Sequence, residues 1–126
     1  MQPLSTTRLA LLIGYGAVLW LGAALLIAAL HAAEMLTGLA RAWLYLAVIP
    51  GTLPFVFIAR RIARGQAVLA LAIATATATW LDGVALAWWP LLYGADSAAA
   101  AAVLLWGAGV GLALAVMLDR SARSTH

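Results

Sequence analysis

The sequence contains no cysteine and no lysine, and only 9% of its 126 residues are charged. Without cysteine there are no disulfides, no thiolate metal sites and no cysteine nucleophiles, and nothing fixes the redox compartment. Seven basic residues, all arginine, four carboxylates and two histidines leave long stretches with no ionisable group. A soluble domain carries about 25% charged and about 45–50% apolar residues. Here 67% of the chain is hydrophobic, so water is excluded as the solvent of most of its surface. The net charge of +3 and pI near 10.2 do not point to nucleic acid, because the arginines sit between apolar runs rather than clustering on a polar face. No catalytic, nucleotide-binding or metal-binding motif is present, and neither a cofactor nor enzymatic activity is expected.

What is present is apolar sequence in four runs. The first, Leu9 to Leu30, has 22 residues without a charge, against the roughly 20 that a helix needs to cross a hydrocarbon core. A cleavable signal peptide competes for this run. Its apolar part is too long, however, and cleavage after Ala33 would put His31 where a small residue is wanted, so the run is expected to be retained. Good helix formers continue to Gly38, which could cap the first helix. The second run, 42–59, lies between Arg41 and the pair Arg60 and Arg61, with Pro50 and Pro54 interrupting its middle. The third covers about 67–87 and the fourth about 98–118, the last opening at an alanine-rich stretch capped by Asp96 or Ser97. The loops are too short to fold separately, and no internal repeat relates the halves. A single integral membrane domain over 1–126 is expected, all-α, with four transmembrane helices in an up-down bundle.

Arginine placement sets the expected orientation, since cytoplasmic loops keep the cations. With four spans, Arg8, Arg60, Arg61, Arg64, Arg120 and Arg123 share one side, and Arg41 alone lies on the other. Both termini are therefore expected in the cytoplasm of a bacterial inner membrane. Trp43, Trp88, Trp89 and Tyr93 then fall at the outer interface, where amphipathic rings settle. Arg60, Arg61 and Arg64 read as topology anchors near anionic headgroups, with specific lipid binding as the alternative.

Asp82 is the leading candidate for chemistry. At about 1.5 Å per residue from Ala67 it lies about 22 Å along its span, where an acid is costly and commonly paired or functional. Thr75, Thr79 and Asp82, spaced by four and three, share a helix face and form a candidate polar or proton-handling stripe. Pro50 and Pro54 free the carbonyls of Leu46 and Pro50, with Thr52 between them, at about the depth of Asp82. A protonated Asp82 or a water is expected to donate to one of those carbonyls; an ordinary proline kink is the alternative.

On the outer face His31, Glu34 and Arg41 form a charged cluster. One histidine and one carboxylate are too few for a zinc site, and His126 lies at the opposite face, so a Glu34–Arg41 ion pair is expected instead. In the fourth run Gly107, Gly111 and Ala115 at four-residue steps predict close helix packing, against the first helix through Gly14, Val18 and Gly22, or against a second copy.

In size and span number the chain resembles the small multidrug-resistance exporters, whose first helix carries an essential glutamate. Its own first span holds no acid, so no residue role carries over. Across the last three spans, the helix-two prolines, Leu81-Asp82-Gly83, Trp89-Pro90-Leu91-Leu92-Tyr93 and Leu105-Trp106-Gly107 with Gly109 and Gly111 resemble a bacterial family of four-helix inner-membrane proteins of unknown function. That resemblance implies the fold and no activity. The expected role is a non-enzymatic membrane subunit or interaction protein in the lipid bilayer, as a homo-oligomer or within a larger complex. The alternative is an oligomeric proton-coupled transporter or channel in which Asp82 titrates.

Overall fold

The computed structural model describes residues 3–124. Four helices follow in order: α1 (Thr6–Ala32), α2 (Gly38–Ile62), α3 (Ala67–Trp88) and α4 (Ser97–Ser124), with a four-residue 3-10 turn, Pro90–Tyr93, between the last two. All four are long and apolar enough to cross a membrane, which makes this a multi-pass membrane protein. His126, weighed above as a ligand, lies outside the described residues.

The helix ends differ instructively from the expected boundaries. α1 stops at Ala32 instead of continuing to Gly38. Glu34 turns left-handed (φ 59°), its N–H donating to the His31 carbonyl, while the Met35 N–H reaches back to Leu30. This closes the helix as a Schellman cap does, although the left-handed residue is not glycine. Gly38, itself at φ +63°, instead opens α2. The same cap ends α2: Arg64 stands at φ 53°, its N–H on the Arg61 carbonyl, and Gly65 donates to Arg60. α2 also runs unbroken through Pro50 and Pro54 and takes in Arg60 and Arg61, so the prolines do not end the helix and the arginines do not bound it. Proline is tolerated this way in spanning helices because neighbours supply alternative hydrogen bonds. Neighbouring helices also bond to the α2 backbone beside the prolines, though not at the Leu46 and Pro50 carbonyls that these free: Trp106 of α4 donates to the Tyr45 carbonyl at 3.0 Å, and Tyr15 of α1 donates to the Phe55 carbonyl at 2.8 Å. α4 begins as expected, with the Asp96 carboxylate accepting the Ala99 N–H at 3.0 Å.

α3 is the hub and packs on each of the other three helices, while α1 and α4 barely meet. Its main partner is α1. At Gly16 the two backbones approach so closely that a β-carbon there would stand 2.6 Å from the Ala74 carbonyl oxygen and 3.0 Å from the Thr77 Cβ. Only part of the expected small-residue face of α4 is used internally, and against other elements than expected; a β-carbon built at Gly107 meets nothing within 4 Å. Ala115 is fully buried, and the space above Gly111 meets Leu71 of α3 and Thr52 of α2. Gly14 and Gly22 of α1, by contrast, have nothing within contact range, and Val18 between them is 71% exposed.

Two apolar cores form at opposite ends of the spans. One gathers Leu12, Val56, Ala59, Ala63, Ala67, Ala70, Leu71 and Ala115, and the other Ala24, Ile27, Leu36, Ala85, Tyr93, Ala100 and Val103. Beside the first core, two side chains close the α2–α3 turn. Arg8 Nη1 donates to the Ile62 carbonyl at the end of α2 (2.6 Å), and both Asp119 oxygens accept N–H groups at the start of α3, from Ala67 and Val68 at 2.9 Å each. The cation meets the negative end of one helix dipole and the anion the positive end of the next. Replacing Asp119 with alanine is expected to lower stability by about 1–2 kcal/mol, the range for losing a helix cap, read as a lower unfolding midpoint in detergent.

Candidate functional site

Pro90 has no amide hydrogen and disfavours helix in the residue before it, so α3 ends at Trp88 and the chain folds into the 3-10 turn. The turn brings Tyr93 back against the bundle, fully buried between α1 and α3. A buried phenol needs partners for its hydroxyl, and this one uses both of its capacities. It donates to Asp82 Oδ1 at 2.5 Å and accepts from Trp20 Nε1 at 2.9 Å. The result is a chain of donors and acceptors, Trp20 to Tyr93 to Asp82, joining α1, the turn and α3.

Burial is the largest influence on the Tyr93 hydroxyl and drives its pKa well above the usual 10.0. The hydrogen bond to Asp82 adds to this, and the bond from Trp20 works against it. Burial and the bond to Asp82 thus both favour the protonated, donating form of Tyr93. Gly94 completes the turn. Its φ of +103° is one that residues with a side chain rarely adopt, and the His31 ring would stand 3.1 Å from a β-carbon built there.

No protein-family model, curated protein or solved structure matches the chain.

The remaining candidate residues are distributed as follows. Tyr93 is the only hydrogen-bond partner of Asp82 among the described residues, and Asp82 accepts in that bond rather than donating to Leu46 or Pro50. Thr52 donates within its own helix, to the Val48 carbonyl at 2.6 Å, and Pro50 and Pro54 are exposed on α2. Thr75 is half-buried and Thr79 exposed. Neither hydrogen-bonds to Asp82; the threonine facing α1 is Thr77, whose hydroxyl donates to the Ile73 carbonyl.

His31 packs on Gly94, while Glu34 lies beyond the end of α1, so their three-residue spacing does not put them on one helix face. Glu34 and Arg41 are both exposed, and no ion pair joins them among the described residues. Nor do the described residues hold a cluster of three metal-ligating groups. Of the aromatic residues expected at the outer interface, Trp43, Trp88 and Trp89 are largely exposed, whereas Tyr93 belongs to the core.

Sequence reasoning missed Tyr93 as the partner of Asp82, Trp20 as its second anchor and Asp119 as a cap for α3. For Tyr93 a signal existed. A proline ending a helix, followed by an apolar residue pair, a tyrosine and a glycine, describes a turn that folds back with a buried ring as readily as an interfacial belt.

Proposed function

We propose that the chain is a non-enzymatic membrane subunit or interaction protein. The observation that carries this reading is how the carboxylates are used. Asp82, Asp96 and Asp119 each accept hydrogen bonds that shape or join secondary structure, and Glu34 lies in an exposed turn that it closes through its backbone N–H. No acid is left both inside the membrane and free of a structural partner. The outer flanks suit assembly: only 11% to 22% of the most apolar stretch of each helix is buried, and Gly14, Val18 and Gly22 leave a narrow open face on α1. Small residues allow close approach by another helix, whether a second copy or a different membrane protein.

The distribution of arginines supports a bacterial inner-membrane location with both termini cytoplasmic and an up-down bundle. The motifs from Leu81 to Gly111 support membership in the four-helix family of unknown function named above.

A second reading, an oligomeric proton-coupled carrier or channel, is favoured by one detail. Asp82 Oδ2 has no hydrogen bond among the described residues, and its neighbours Thr79 and Gly83 are exposed on α3. One pair of measurements separates the two. Purified in mild detergent, a subunit travels with a partner or as a defined multimer. Proteoliposomes of the same protein conduct no protons, and Asp82→Asn changes neither result. If the wild-type protein dissipates an imposed pH gradient and Asp82→Asn, still folded, abolishes that flux, the subunit reading falls and the carrier reading stands.

A further inference from the structure

At the end of the bundle where α1 begins and α2 turns into α3, Pro3, Leu4, Ser5, Arg8, Arg64 and Gln66 line an open recess of about 150 Å³. That is room enough for a tetrahedral oxyanion. The lining carries two guanidinium groups and no carboxylate. Arg8 uses one nitrogen on the Ile62 carbonyl and keeps its other N–H groups, and the Arg64 side chain has no hydrogen-bond partner among the described residues. The nearby acid, Asp119, is occupied on both oxygens by the Ala67 and Val68 amides. The Ser5 hydroxyl accepts from the Arg8 N–H and retains its own hydrogen to donate. Arg64 is held here by a left-handed backbone at φ 53°, a conformation that costs an arginine more than it would a glycine.

The setting decides which anion fits. Leu4 packs on the apolar core beside the recess, while Leu9 and Leu11 on α1 and Val68 on α3 are exposed along the flanking spans. A site with donors at the end of the spans and bare apolar surface along them has the polarity of a lipid, head to tail. Paired guanidinium groups also match phosphate oxygens, the commonest anion in the headgroup layer.

We propose that this recess binds the phosphate of an anionic phospholipid, with Arg64 and Arg8 as its cationic ligands and Ser5 as a donor. This goes beyond the bulk attraction of an arginine-rich loop to a charged surface, because it assigns the affinity to Arg64 and not to Arg61 or Arg120, which carry the same charge outside the recess.

The test uses the full chain in neutral detergent, where no membrane potential contributes. Phosphatidylglycerol and phosphatidylcholine are offered in equal amounts, and retained lipid is read by native mass spectrometry. Wild type is expected to retain one phosphatidylglycerol in preference to phosphatidylcholine. Arg64→Gln is expected to lower that retention about tenfold, the equivalent of one charge-assisted hydrogen bond, while Arg61→Gln and Arg120→Gln leave it unchanged. Arg64→Gly removes the side chain and relieves the backbone, so it separates lost binding from lost folding; it is expected to lose the lipid and stay folded. Equal losses in the Arg61, Arg64 and Arg120 variants, or no preference between the two lipids in wild type, would overturn the site. Displacement of the lipid by millimolar inorganic phosphate would identify free phosphate as the ligand and overturn the headgroup assignment.

Discussion

Replacing Gly16 with alanine lowers the stability of the bundle by about 2–3 kcal/mol, and replacing it with valine prevents α1 and α3 from docking at all. The reason is the nature of the obstacle. A β-carbon at this position would meet the Ala74 carbonyl oxygen at 2.6 Å and the Ala74 Cα at 3.0 Å, and backbone cannot rotate aside as the end of a side chain can. The helices must separate, and every dispersion contact along their shared face weakens together. Gly14 and Gly22 on the same helix are internal controls. A β-carbon at either meets nothing within 4 Å, so alanine there leaves stability unchanged or raises it slightly through better helix propensity. Unfolding midpoints of the three variants in one detergent decide the matter; a Gly16→Ala midpoint equal to those of the other two would mean that α1 does not pack on α3 as described.

Tyr93→Phe is expected to cost about 2 kcal/mol, although the ring is kept and no cavity forms. Loss of the single hydroxyl leaves the Trp20 N–H and Asp82 Oδ1 both without a partner, and a buried polar group left unpaired costs about 1–3 kcal/mol. Hydrogen bonds between membrane helices average nearer 0.6 kcal/mol, which places the combined loss toward the lower part of the summed range. Double-mutant cycles separate the two bonds. Trp20→Phe adds little in the Tyr93→Phe background, because its acceptor is already gone, and Asp82→Ala likewise. Full additivity of Trp20→Phe and Tyr93→Phe would show that the chain does not act as a unit. Alkaline titration supplies an independent sign. The folded protein holds the Tyr93 proton above its ordinary pKa of 10.0, so the tyrosine's contribution is complete below pH 10 and is lost as pH climbs above it. Tyr93→Phe removes that part of the alkaline decline.

The membrane-spanning architecture was readable from the sequence because the bilayer makes one property decisive. A run of about 20 apolar residues spans whatever it packs against, so the four helices required no knowledge of tertiary contacts. The third run, 67–87, matches α3 to within a residue at its far end, since Gln66 and Pro90 bracket it with residues that do not continue a helix. The second run, 42–59, falls short of α2, because the long arginine stem lets Arg60 and Arg61 stay helical at the headgroup layer and because the helix continues through both prolines.

The candidate site was only half legible. Asp82 stands out by cost alone, but its partner lies eleven residues on, across a helix end whose turn geometry sets where the tyrosine goes. Asp119 lies 52 residues from the amide it caps at Ala67. Spacing rules such as i to i+3 and i to i+4 describe one helix, and both of these interactions cross between elements. The same holds for Gly16 against Gly14 and Gly22: three glycines on one helix look equivalent until the approach of α3 selects one of them.

Because α3 rather than α2 is the principal neighbour of α1, the order of synthesis imposes a delay. When the first span leaves the ribosome and enters the bilayer, the segment that fills the groove at Gly16 has not yet emerged beside it. Until Ala74 and Thr77 emerge, two spans later, α1 waits among lipid tails with its closest-packing surface open. A nascent chain halted after Ile62 would hold two inserted helices and little of the contact that binds them.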